Sequence, residues 1–102
     1  LMYGGHGIIG SSLNFMPGLY GRILAHVRAG EMDPALAWQQ RGNRIIQIMH
    51  GYGYVGCMRA ILSELGFECG EPRLPNLPLP REHRTRCLGE LADAGFAELA
   101  AL

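Results

Sequence analysis

Lysine is missing altogether: the nine basic residues are Arg22, Arg28, Arg41, Arg44, Arg59, Arg73, Arg81, Arg84 and Arg86. Covalent carbonyl chemistry through a side-chain amine is therefore excluded within these 102 residues. Charge of one sign is also missing, because nine acids balance the nine arginines and the net charge is zero. No field steers the chain toward nucleic acid or an anionic membrane. Cysteine is sparse, at 57, 69 and 87, and the spacings of twelve and eighteen fit no zinc or redox motif. Reduced, partly buried thiols are expected. His6, His26, His50 and His83 share no metal spacing, and no H-E-x-x-H occurs.

A long apolar run is lacking as well. Residues 1–21 carry no charge, but six glycines, Pro17, His6, Asn14, Ser11 and Ser12 interrupt them. That composition makes a poor spanning helix, and without a basic leader or cleavage site it makes a poor signal peptide. The opening Leu1-Met2-Tyr3-Gly4 reads as the middle of a protein, with the last turn of a helix followed by glycine. The length allows at most one domain with a modest core.

What is present is mostly helical pattern. Residues 7–13, Gly-Ile-Ile-Gly-Ser-Ser-Leu, read as one short buried strand. A helix is expected from about Pro17 to Ala29, with Leu19, Ile23 and Val27 as its stripe and Gly30 as its end. Asp33-Pro34 starts a second helix, Asp33 as cap, running to about His50 with Gly42 as a site of kink or close contact. Gly51-Tyr52-Gly53 breaks it. A third helix spans about Tyr54 to Leu65, burying Val55, Met58, Ile61, Leu62 and Leu65, and Gly66 closes it. Residues 67–80 hold four of the six prolines and form an extended connection. A last helix starts near Pro80 or Arg81 and carries Cys87, Leu88, Leu91 and Ala94. One strand cannot form a sheet, so it belongs to a larger sheet or is not a strand.

Gly5-His6-Gly7-Ile8-Ile9-Gly10 matches G-x-G-x-x-G, but no strand precedes it and no helix opens directly after it. Close backbone approach explains these glycines better than nucleotide binding does. Ser11 and Ser12 lie outside the G-x-S-x-G elbow. A hydroxyl that bonds a ligand and a serine satisfied by backbone remain equal readings.

Tyr3-Gly-Gly-His-Gly-Ile-Ile-Gly-Ser-Ser-Leu-Asn14 resembles the eighth strand of the N-acetylneuraminate lyase / dihydrodipicolinate synthase family. Its Gly-Gly-His-Gly is nearer the synthases, and its Gly-Ser-Ser-Leu-Asn is nearer the sialic acid lyases. The resemblance continues through Arg28-Ala29-Gly30-Glu31, Asp33-Pro34-Ala35-Leu36-Ala37, Leu65-Gly66 and Arg73-Leu74-Pro75-Asn76-Leu77-Pro78-Leu79. It implies the C-terminal portion of an α/β (β/α)8 TIM barrel. As an isolated chain this would be mostly α, with one short strand and about four helices. Residues 1–30 would be the last βα unit and residues 31–102 a C-terminal helical extension.

The resemblance also implies a cytoplasmic homo-oligomer, often a tetramer, acting on pyruvate or a pyruvate-derived 2-keto acid without a cofactor or metal. A lysine on the sixth strand forms a Schiff base there, a tyrosine on the fifth moves the proton, and threonines near the third hold the carboxylate. None of those strands lies in this chain, and Tyr3, Tyr20, Tyr52 and Tyr54 do not match. No catalytic residue is therefore expected here. The substrate-contacting positions carried over are Ile9, Gly10 and Ser11. Leu13 departs from the aromatic usual in the lyases, which puts sialic acid itself in doubt. The alternative is a small helical protein-interaction module, without catalysis, that binds through the Ile45–Leu62 surface.

Overall fold

The computed structural model describes residues 3–102. Five helices follow a 3-10 turn at Ser11–Asn14: α1 (Pro17–Arg28), α2 (Met32–Tyr52), α3 (Tyr54–Glu64), α4 (Arg81–Asp93) and α5 (Phe96–Ala100). They form two compact units. One comprises residues 3–43 with Ala97–Leu102, the other Arg44–Phe96, and α2 runs from the first into the second.

The expected strand at 7–13 is absent; among the described residues there is no strand. Gly10 is extended, at φ −161 and ψ 145, but nothing pairs with it as a ladder, and Ser11–Asn14 closes into the 3-10 turn instead. A strand is a property of two chains in register, and this segment has no second one. The expected helix end at Leu1 and Met2 lies outside the described residues; Tyr3 and Gly4 form a turn and a bend.

In the first unit, Pro17 occupies the first turn of α1, where its missing N–H costs nothing. Phe15, Met16, Leu19, Ile23, Ala35 and Leu99 are buried, whereas Val27 is only half-buried. Burial of each large apolar side chain contributes about 1.5–3 kcal/mol. Gly30, at φ +77, ends α1. Its N–H donates to Val27 O at 3.1 Å, and that of Glu31 to His26 O at 2.9 Å. This reversal needs the left-handed backbone that glycine supplies. Asp33 sits inside the first turn of α2 rather than capping it, because Ala35 N–H already bonds Glu31 O at 3.2 Å. There its charge still favours the positive helix end. α5 is held by Arg41, which donates to both Glu98 carboxylate oxygens at 3.1 and 2.5 Å. Arg41 and Arg22 both lie over the Trp38 ring, with their guanidinium carbons 4.7 and 5.1 Å from its centre.

In the second unit, the helix break falls at Gly53 alone, at φ +96. Gly51 and Tyr52 remain in α2. The buried face of α3 differs from the expected large-residue stripe. Gly56, Cys57, Ala60 and Ile61 are buried, Val55, Met58 and Leu62 are half-buried, and Leu65 is exposed. The cause is close approach by the connection: a Cβ on Gly56 would lie 2.9 Å from Leu77 O and 3.0 Å from Leu79 N. Residues 67–80 have no regular structure, as their prolines require. α4 packs on α3 and buries Cys87 and Leu91, and a turn at Ala94 and Gly95 separates it from α5.

Candidate functional site

The three expected substrate-contacting residues form one exposed run that leads into the 3-10 turn, whose first residue is Ser11. The Ile9 side chain is fully exposed, at 106%. Gly10 and Ser11 are also exposed. A Cβ on Gly10 would meet nothing nearer than Ser12 Oγ at 3.9 Å, so the space beside it is open. Gly10 O accepts from Leu13 N–H at 3.2 Å, and Ser11 O accepts from Asn14 Nδ2 at 2.9 Å. Those bonds pin the backbone of the turn and leave the Ser11 hydroxyl without a protein partner among the described residues.

The two serines, equivalent in sequence, thus part in role. Ser12 is buried, and its Oγ lies 2.5 Å from Tyr20 Oη on α1. Its carbonyl accepts from Phe15 N–H at 3.3 Å and Met16 N–H at 2.9 Å. Ser12 is the serine satisfied by its own fold, and Ser11 is the one open to a ligand. Nothing in the sequence singles out Tyr20 as this anchor. A hydroxyl pair eight residues apart across a turn has no periodic signature.

Beside this run lies an open apolar groove of about 490 Å³, lined by residues that include Tyr3, Ile8, Tyr20, Ile23, Val27 and Leu36. Among the described residues, no group of His, Cys, Asp and Glu is arranged to hold a metal ion. No helix there is long and apolar enough to cross a membrane.

An extended segment, a turn and a helix, followed by further helices, define the C-terminal portion of a (β/α)8 barrel protein. The solved structure of Proteus mirabilis N-acetylneuraminate lyase, such a barrel, superposes with a TM-score of 0.82 at 25% identity over 91% of this chain and 32% of that one. The chain belongs to the dihydrodipicolinate synthetase family, whose model matches residues 1–94. It is 30% identical over 96 residues to the 4-hydroxy-tetrahydrodipicolinate synthase of Phenylobacterium zucineum, covering 94% of this chain and 33% of the relative. It is also 30% identical over 89 residues to the 2-dehydro-3-deoxy-D-gluconate/2-dehydro-3-deoxy-phosphogluconate aldolase of Thermoproteus tenax, covering 86% and 29%. The chain thus spans about a third of the length of these relatives.

Proposed function

We propose that this chain is the part of a Schiff-base-forming (class I) 2-keto acid lyase or aldolase that contributes pocket wall and helical oligomer surface. Residues 1–30 are the last βα unit of its barrel, and residues 31–102 are the helical extension. What carries the reading is the family match over residues 1–94, joined to an exposed, unobstructed run at Ile9, Gly10 and Ser11.

The chemistry follows from the family. A lysine amine attacks the ketone carbon of a 2-keto acid, water leaves, and the iminium takes up the electron pair of the adjacent carbon–carbon bond as it breaks. With no lysine in these residues, the amine belongs to polypeptide outside them, and the 102 residues alone are inactive. Barrel sites lie at the C-terminal ends of strands, which here is the Ile9–Ser11 run. Gly10 leaves room for the substrate, Ile9 offers backbone, and the Ser11 hydroxyl bonds a polar group of the substrate. Ile8 and the apolar groove beside it receive neighbouring barrel polypeptide.

Borohydride reduction in the presence of pyruvate tests this. In a protein joining this chain to the lysine-bearing part of its barrel, one lysine should gain a reduced pyruvyl group. The 102-residue chain alone should label only slowly, at its terminal amine. Replacing Ser11 by Ala should raise KM for the 2-keto acid about tenfold, the worth of one hydrogen bond, and leave trapping intact. A joined protein that gives no lysine adduct would refute the Schiff-base reading.

A further inference from the structure

A second cavity lies wholly within the Arg44–Phe96 unit, between α3, α4 and the 67–80 connection. Its volume is about 110 Å³, and Arg59, Ser63, Glu68, Glu71 and Arg84 supply its charged and hydroxyl groups. One water needs roughly a tenth of such a volume, so the space admits a molecule of a few heavy atoms.

The two arginines differ. Arg84 is neutralised locally, donating to Glu64 Oε1 at 2.8 Å and Ser63 Oγ at 3.4 Å. Arg59 donates through one terminal nitrogen to Cys69 O, a neutral acceptor. Its Nε is buried and has no hydrogen-bond partner. A guanidinium stays charged and cannot become an acceptor, and among the described residues no carboxylate forms an ion pair with that of Arg59. Glu68 accepts from the Ser63 hydroxyl at 3.1 Å. Among the described residues, neither Glu68 nor Glu71 forms an ion pair.

The cavity is therefore lined by one guanidinium without a carboxylate partner and two carboxylates without a cationic one. A simple anion would satisfy Arg59 and meet two like charges. A simple cation would face the glutamates and leave the Arg59 guanidinium unpaired. A molecule carrying both charges satisfies both sets. We propose that this cavity binds a small zwitterion of simple amino-acid size, its carboxylate on Arg59 and its ammonium toward Glu68 and Glu71. The assignment is independent of the barrel chemistry, since no residue of the Ile9–Ser11 run takes part.

Titration calorimetry and NMR on the protein carrying the whole chain decide the matter, with glycine, acetate, methylammonium and inorganic phosphate compared at fixed ionic strength. Glycine should give saturable shifts at residues 59–71 with a Kd on the order of 1 mM, reasonable for a ligand of few atoms. Acetate, methylammonium and phosphate should each bind about tenfold or more weakly, lacking one of the two charge-assisted contacts. Arg59→Gln should weaken glycine by a similar factor. Glu71 is exposed, so Glu71→Gln should fold normally, weaken glycine and strengthen acetate. Acetate or phosphate binding as tightly as glycine would make this a plain anion site and overturn the proposal. So would glycine binding that Glu71→Gln leaves unchanged, or a cavity that answers none of the four probes and holds only water.

Discussion

At the scale of single residues, glycines inside helices separate packing from propensity. An alanine Cβ at position 42 would lie 2.7 Å from Leu19 Cδ2, and Leu19 is fully buried with nowhere to swing. The helix preference for alanine gains about 1 kcal/mol, while overpacking costs about 1–3 kcal/mol. Gly42→Ala should therefore lower stability by about 1 kcal/mol in urea unfolding. Gly89, in α4, is exposed with open space around it, so Gly89→Ala should raise stability by up to about 1 kcal/mol. The Glu98 carboxyl supplies a pH test. Its hydrogen bonds from Arg41, and then the charge of that guanidinium, hold it below the usual carboxylate range. Because the folded-state value is depressed, the stabilising effect is complete above the ordinary value and fades as pH falls through the folded one. Unfolding midpoints followed from about pH 6 to about pH 2 should drop less steeply in Arg41→Gln, and the difference between the proteins should vanish at the acid end.

At the scale of elements, the tightest fit is α3 against the connection. A methyl group on Gly56 would press on the backbone of Leu77 and Leu79, atoms that cannot rotate away. Gly56→Ala should cost about 1–3 kcal/mol and shift the amide resonances of Leu77 and Leu79. A shift confined to α3 would count against this account. The elements also show what could be read from sequence. The helix termini at Pro17, Gly30, Gly66 and Arg81 were legible, because a helix closes its hydrogen bonds within itself and local residues set its ends. At 7–13 local pattern suggested a strand that is absent from the structure, since a ladder needs partners that local pattern cannot supply. The buried face of α3 was misread for a related reason. Gly56 on that face is dictated by a segment more than fifteen positions away. At the candidate site, only resemblance pointed to Ile9–Ser11, and the different surroundings of Ser11 and Ser12 required coordinates.

At the scale of the whole molecule, apolar surface is unevenly distributed. Ile8, Ile9 and Leu36 are exposed in the first unit, as are Phe67, Leu74 and Leu77 in the second. Surface of that kind is ordinary when scattered and informative when contiguous, and beside the Ile9–Ser11 run it is contiguous with the apolar groove. The second unit carries its own core, with Ile45, Met49, Cys57, Ile61, Cys87 and Leu91 all buried. Cys57 and Cys87 are free thiols, and burial pushes both upward, with the Cys87 sulfur adding to the effect at Cys57.

Only Cys69 among the three thiols is exposed, and a thiolate rather than a thiol attacks alkylating reagents. Iodoacetamide should therefore modify the native chain once, quickly, and modify it twice more only when α3 and α4 come apart. Mass spectra taken over time then become a clock for the opening of that helix pair, with no probe to be installed. The delay between the first adduct and the later two measures how rarely the core breathes.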